Sequence, residues 1–127
     1  MRRAYVLIIV LTVLGFGAGI WADLAQQNTA REYLDALVYV REAVERGDLD
    51  AASQEQAYLH AKWQHDAVWL NCLISHHHTR AVNTAMTELA TAFQYQWTDE
   101  ALRALDRVED ALEDIEGSDF ATLENVL

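Results

Sequence analysis

A long uncharged stretch near the N-terminus constrains this chain more than any other feature. It runs from Ala4 to Ala22 and follows two arginines, Arg2 and Arg3. Because an α-helix rises about 1.5 Å per residue, a helix of this length crosses the hydrocarbon core of a bilayer. The predicted organisation is a short N-terminus over residues 1–3, a transmembrane anchor over residues 4–22 and an acidic domain over residues 23–127.

The distribution of charge around this stretch predicts its orientation. Arg2 and Arg3 lie on the short side, and basic residues near a span tend to stay in the cytoplasm. We therefore expect a single-pass protein of the cell membrane with its C-terminal domain outside. A cleaved secretory signal is the alternative, but the apolar run exceeds the usual signal core. Ile20 also stands where a small residue is preferred before a cleavage site after Ala22.

Small residues on the span offer a weak dimerisation face. Gly15 and Gly19 form a small-xxx-small pair, and Ala18 and Ala22 repeat the spacing. Such pairs let two helix backbones approach closely in a membrane. A homodimer through Gly15 and Gly19 is one hypothesis, and chance occurrence in a glycine-rich span is the other.

The acidic domain restricts the classes of partner. All twenty acidic residues follow the apolar stretch, against seven of the nine basic residues, so this part carries a formal charge of −13. Phosphate backbones require clusters of Lys and Arg, so nucleic acid is not an expected partner. Basic segments or cations are more plausible partners. The simpler explanation is that acidic side chains solvate the outer faces of helices.

The composition predicts an all-α domain. The chain has no proline, and only two of its five glycines lie outside the anchor. Apolar residues recur at helical spacing in four segments, each predicting one amphipathic helix. The predicted inward faces are Tyr33, Leu34, Leu37, Val38, Val40 and Val44; Ala52, Leu59, Trp63, Leu70 and Ile74; Val82, Met86, Leu89 and Phe93; and Leu102, Leu105, Val108, Leu112 and Ile115.

Capping residues predict where these helices end. Gly47 should end the first helix, and Asp48 should cap the second. The run from Ser75 to Thr79 is predicted as a turn, and Thr98 as the N-cap of the fourth helix. Gly117 should end that helix, before a short C-terminal helix that buries Phe120, Leu123 and Val126.

Two of these turns look alike. Residues 47–51 and 97–101 each combine a capping residue, an acidic residue and an alanine. This similarity indicates two helical hairpins with a period of about fifty residues. Two antiparallel hairpins pack most simply as a four-helix bundle or as a short stack of helix pairs.

Three consecutive histidines are the most chemically suggestive feature. His76, His77 and His78 are weak candidates for a zinc, copper or nickel site, because imidazole is a common ligand of these metals. Consecutive side chains point in different directions, however, and His60 and His65 share a helix face poorly. A solvated polar turn is therefore the preferred interpretation, and a small-ligand or metal-binding sensor the alternative.

No catalytic group or cofactor motif stands out, so we expect no enzymatic activity. The lone Cys72 has apolar neighbours and is expected to be buried. Its spacing to His76 suits a thiol–imidazole pair, but no oxyanion site accompanies it. Paired carboxylates could suggest acid–base chemistry, but a solvated helix face is the better explanation for Glu109, Asp110, Glu113 and Asp114. Three tryptophans could line a binding groove, but at helical spacing such residues are more often core: Trp63, Trp69 and Trp97.

With this layout, the chain resembles a family of small bacterial membrane proteins known as domain of unknown function 4363. The resemblance rests on the span, the capped acidic turn, Trp63, the segment 73–76 and the terminal segment 122–127. The chain departs after His76, where the family is typically acidic and this chain has His77, His78 and Arg80. The resemblance implies a single-span helical protein and supplies no catalytic residues. Together with the residues, it favours a membrane-anchored protein-interaction or assembly module.

Overall fold

The computed structural model describes residues 2–72 and 74–126, with side chains described up to residue 117. This part of the chain is all-α. Four helices follow one another along the sequence, and short turns join them. They are α1 (Arg2–Glu45), α2 (Leu49–Leu70), α3 (His76–Gln94) and α4 (Thr98–Val126).

Helix α1 combines an apolar extension with a bundle helix. It is long and apolar enough at its N-terminal end to cross a membrane, a test that a signal sequence also passes. Side chains from Arg2 to Trp21 are exposed. Fully buried positions in α1 begin at Gln26 and recur at helical spacing up to Val44. The helix therefore enters the bundle a few residues after the uncharged stretch ends.

The four helices form an antiparallel bundle in which each packs against two others. The contacts join α1 with α2, α2 with α3, α3 with α4 and α4 with α1, and the α3–α4 contact is the most extensive. The predicted pair of antiparallel hairpins is thus confirmed. The largest buried apolar side chains of the described residues come from all four helices: Tyr33, Leu37, Trp63, Leu70, Met86, Leu89, Leu105, Leu112 and Ile115.

The turn between α1 and α2 is a Schellman motif, a common helix ending closed by two backbone hydrogen bonds. Gly47 N–H donates to Val44 O at 3.0 Å, and Asp48 N–H donates to Ala43 O at 2.9 Å. The φ angle of Gly47 is +82°, which glycine adopts without steric penalty. Asp48 then caps α2 as predicted, since its side chain accepts a hydrogen bond from the backbone N–H of Ala51.

The turn between α3 and α4 has the same hydrogen bonds with different residues. Gln96 N–H donates to Phe93 O at 3.1 Å, and Trp97 N–H donates to Ala92 O at 2.9 Å. Gln96 has a φ of +57° and is the non-glycine residue with positive φ in the described chain. Gln96 therefore corresponds to Gly47, and the repeat is one residue shorter than the sequence alignment predicted.

Burial follows this corrected register. When Gly47 is aligned with Gln96, most buried positions of the first hairpin coincide with buried positions of the second. The coinciding pairs include Tyr33 with Val82, Leu37 with Met86, Val40 with Leu89, Val44 with Phe93, Ala52 with Ala101, Leu59 with Val108 and Trp63 with Leu112. The two hairpins thus share one pattern of buried positions, and the apolar extension of α1 precedes them.

Three predicted boundaries are wrong. Ser75 is the N-cap of α3, so the histidines form its first turn and not a loop. Thr98 is already the first residue of α4, because Ala101 N–H donates to Trp97 O. Helix α4 also continues through Gly117, because one glycine costs a helix only about 1 kcal/mol. The predicted short fifth helix is therefore absent from the described chain, and the predicted burial of Phe120, Leu123 and Val126 lies outside the described side chains.

Candidate interaction surfaces at the two ends of the bundle

The turn between α3 and α4 exposes two aromatic side chains. Tyr95 is 58% exposed and Trp97 is 56% exposed. Their rings stack with centroids 5.0 Å apart and an interplanar angle of 23°. The expectation that Trp97 is a core residue is thus wrong, because it lies in the turn and not on the inward face of a helix. Large aromatic side chains with a polar edge are enriched at protein–protein contacts.

A shallow groove adjoins this aromatic pair. A cavity of about 360 Å³ lies between Trp97 and the outer faces of α3 and α4. The side chains that line it are apolar or uncharged apart from two glutamates: Thr87, Glu88, Thr91, Ala92, Trp97 and Glu100. Trp97 therefore forms one wall of this groove.

A three-residue ion-pair network closes the side of this groove. Arg107 lies 2.7 Å from Glu88 and 2.7 Å from Glu100. Its hydrogen bond holds the pKa of Glu100 below the ordinary value of 4.5, and the two glutamates raise the pKa of Arg107. The network thus joins α3 to α4.

The opposite end of the bundle lies beside the uncharged stretch. Tyr33 Oη donates to Asp66 Oδ2 at 2.6 Å. This contact shows that Tyr33 of α1 and Asp66 of α2 lie at the same height along the bundle axis, which we call the same level. One turn further along α2, Leu70 is level with Thr29, and Thr29 is about 10 Å along the α1 axis from Ala22. The α2–α3 turn therefore lies near the end of the predicted span.

The three histidines lie at this end. The Ser75 side chain accepts a hydrogen bond from the backbone N–H of His77 at 3.2 Å. His76 and His77 are exposed and His78 is half-buried, with the His77 and His78 rings 5.8 Å apart. Within the described residues, no group of three His, Cys, Asp or Glu side chains is arranged to hold a metal ion. The metal-site hypothesis stays a prediction.

Arg80, one turn into α3, differs from the other basic residues of the domain. Six of the seven basic residues after the apolar stretch lie within 4.0 Å of a carboxylate in the described structure. Arg80 is the exception, although Asp110 and Asp114 line the same α3–α4 groove. In an acidic domain, this leaves one exposed guanidinium available to an external anion.

Cys72 is exposed, so the prediction that it is buried is wrong. Helix α2 ends at Leu70, and Leu70 rather than Cys72 fills the inward position. The thiol lies 3.8 Å from the backbone oxygen of Val68. Cys72 therefore marks the surface of the α2–α3 turn.

A buried polar contact lies between α1 and α2. The rings of Tyr33 and Trp63 meet edge to face with centroids 5.3 Å apart. Burial, followed by the hydrogen bond to Asp66, raises the pKa of Tyr33 well above its ordinary value of 10.0. Trp63 is 1% exposed, and its Nε1 has no hydrogen-bond partner in the described structure. This contact is structural, because it is closed to solvent on the Trp63 side.

The other candidate residues are distributed without forming a site. Glu109 pairs with Arg41 across α1 and α4, whereas Asp110, Glu113 and Asp114 are exposed. Asp110, Glu113 and Asp114 thus lie on the outer face of α4, whereas Glu109 joins α4 to α1. Trp69 is half-buried.

The weak dimer face on the span is open in a single chain. A side chain built at Gly15 or Gly19 would meet no atom within 4 Å. The surface is therefore free for another helix or for lipid, and dimerisation stays a prediction.

Comparison with known proteins identifies the family. The family model described as domain of unknown function (DUF4363) matches residues 21–126. The chain belongs to this family, as the resemblance indicated. No curated protein and no solved structure matches the chain. The match begins where the apolar stretch ends, so it covers the bundle.

Proposed function

We propose that the protein is a membrane-anchored, non-enzymatic interaction module outside the cytoplasmic membrane, and that the turn of Tyr95, Gln96 and Trp97 binds a partner protein. The apolar extension of α1 supplies the anchor. The basic N-terminus and the acidic flank support the orientation. The aromatic turn lies at the end of the bundle away from the extension, where it is presented to other proteins.

The comparison between the two turns carries this proposal. The two turns share one backbone, yet Gln96 and Trp97 stand where the first turn has Gly47 and Asp48. A non-glycine residue in the left-handed region costs roughly 1–2 kcal/mol, and losing a capping aspartate costs about 1 kcal/mol. Side chains that local stability disfavours, exposed on the surface, are typical of a binding site.

The stacked geometry of the aromatic pair suits a protein partner. Stacking pre-orients both rings, so little side-chain freedom is lost on binding. Glu88 and Glu100 beside the groove favour a partner segment that carries apolar and basic side chains. This agrees with the acidic charge of the domain as a whole.

Site-specific photo-cross-linking in intact cells tests the proposal. A photoreactive side chain replaces Gln94, the last residue of α3, or Glu45, the equivalent last residue of α1. We expect a discrete cross-linked product from position 94 that disappears with Trp97→Asp, and none from position 45. A product that is a dimer of this chain would identify a second copy as the partner.

Two outcomes would contradict the proposal. Equal cross-linking from positions 94 and 45 would indicate non-specific contact. A product from position 94 that survives both Trp97→Asp and Tyr95→Ala would show that the aromatic pair is not the binding surface. Tyr58→Ala, at another exposed tyrosine, is the matched control and should leave the product unchanged.

A further inference from the structure

The position of the α2–α3 turn suggests a contact that the anchor alone does not provide. Thr79 Oγ1 donates to Asn71 Oδ1 at 2.5 Å, so these residues are level across α2 and α3. Asn71 follows Leu70, which is level with Thr29 of α1. His76 precedes Thr79 by almost one turn and lies correspondingly closer to the extension, about 5 Å from the level of Ala22.

This level corresponds to the headgroup layer if residues 4–22 span the bilayer. The polar layer on each face is roughly 5–7 Å thick. The first turn of α3 therefore lies at the depth of the lipid phosphates. Arg80 lies about 6 Å farther from Ala22 than His76 does, so only its long side chain reaches this depth. The exposed aromatic ring of Trp21 lies at the same boundary, which is the level tryptophan prefers.

The chemistry of this turn fits phosphate groups. His76 and His77 are exposed, and their imidazoles donate hydrogen bonds to oxygens. Arg80 is the basic residue of the described domain without a carboxylate within 4.0 Å, and guanidinium recognises phosphate with two parallel hydrogen bonds. The backbone N–H groups of His77 and His78 already donate to Ser75, so the contact depends on the side chains.

We propose that His76, His77 and Arg80 bind the phosphates of lipid headgroups and so hold the bundle at a fixed height and rotation on the membrane. This inference rests on the proposed anchor. It adds a second contact, through α3, to the single attachment through α1. A bundle held at two points presents the Tyr95–Trp97 turn in a defined direction.

Acidic groups set the limit of this contact. Asp110 and Asp114 lie across the α3–α4 groove from His77 and Arg80. They repel phosphate on the α4 side, so the favourable approach is from the α2–α3 turn. The contact is thus confined to one edge of the bundle.

Solid-state NMR tests the contact directly. The full chain, with ¹⁵N-labelled arginine, is reconstituted in phosphatidylglycerol and phosphatidylcholine vesicles in phosphate-free buffer. Dephasing of guanidinium ¹⁵N by lipid ³¹P then reports arginines close to headgroups. We expect Arg80→Gln to lose part of this dephasing. Arg103→Gln, which removes an exposed arginine near the far turn, should lose none.

Arg2 and Arg3 make the outcomes distinguishable, because they flank the span on the other face. If no arginine is dephased, the anchor itself fails. If dephasing persists and Arg80→Gln leaves it unchanged, the anchor holds but the proposed headgroup contact is wrong.

A probe on Cys72 gives an independent readout of depth. A fluorophore on this single exposed thiol should be quenched by lipids that carry a nitroxide on the headgroup. The same fluorophore at position 96, in a Cys72→Ser background, should not be quenched. Replacing His76, His77 and Arg80 with glutamine should reduce the quenching at position 72. Equal quenching at both positions, or none at position 72, would overturn the proposal.

Discussion

The two turns that join the hairpin helices share one backbone and differ in nearly every chemical property. The first uses Gly47 at the positive φ angle and Asp48 as a cap, so its residues serve the turn itself. The second places Gln96 and Trp97 at the same two positions and stacks Trp97 on Tyr95. The first turn thus serves as an internal control for the role proposed for the second turn.

The largest expected effect separates a buried tryptophan from the exposed one. Trp63→Ala should lower the free energy of unfolding by about 3–5 kcal/mol, because it empties a fully buried position. Trp97→Ala should lower it by less than about 1.5 kcal/mol, since it loses little more than the stack with Tyr95. Urea unfolding of the full chain in detergent micelles measures both. Similar losses would mean that Trp97 is a structural residue.

Transferring the second turn's residues to the first should be costly. Gly47→Gln with Asp48→Trp is expected to destabilise the chain by about 2–3 kcal/mol, from the left-handed backbone and the lost cap. A Cβ at Gly47 meets no atom within 4 Å, so the glycine part of the cost comes from the backbone alone. Gly47→Ala is the simpler control. A double variant with an unchanged free energy of unfolding would show that the turn tolerates these residues. The difference between the two turns would then not indicate a binding role.

The hairpins also differ in the polar contact between their helices. In the first, the raised pKa of Tyr33 means that the folded chain keeps the phenol proton above pH 10, whereas the unfolded chain releases it. Stability from this group is complete below about pH 10 and falls above it by about 1.4 kcal/mol per pH unit. Unfolding curves from about pH 9 to pH 11 should show this slope, and Tyr33→Phe should flatten it. An equal slope in Tyr33→Phe would assign the loss to other groups.

The corresponding contact of the second hairpin is exposed and should matter least. Arg107→Gln removes the ion pairs with Glu88 and Glu100, and exposed pairs contribute less than about 1 kcal/mol. High salt should remove the remaining difference in the free energy of unfolding between the wild type and Arg107→Gln. A loss well above 1 kcal/mol that salt does not reduce would show that the network supports the fold of the second turn.

Local signals explain which elements the sequence predicts. Gly47 and Asp48 are the preferred residues for their positions, and the first turn follows from them. Gln96 has no preference for positive φ, so the sequence pattern places the second turn one residue away from its position in the structure. Serine is a preferred N-cap residue, and Ser75 caps α3 in the structure. The helix therefore begins at His76, and the histidines form its first turn.

The surfaces required tertiary information. Cys72 and Trp97 have sequence contexts that predict burial. Both are exposed because they lie in turns beyond the helix ends, and these ends are known only from the structure. The unpaired state of Arg80 depends on the distances to every carboxylate around it. The level of the α2–α3 turn against the apolar extension follows from cross-helix contacts such as Tyr33 with Asp66. A sequence pattern contains none of these distances.

The most direct test of the central claim gives the second turn the residues of the first. Gln96→Gly with Trp97→Asp restores the glycine and the cap, at the loss of one exposed aromatic stack. The account predicts a chain that is more stable than the wild type by about 1 kcal/mol in the same urea experiment. A double variant that is less stable by 1 kcal/mol or more would contradict the claim, because the aromatic turn would then serve the fold itself.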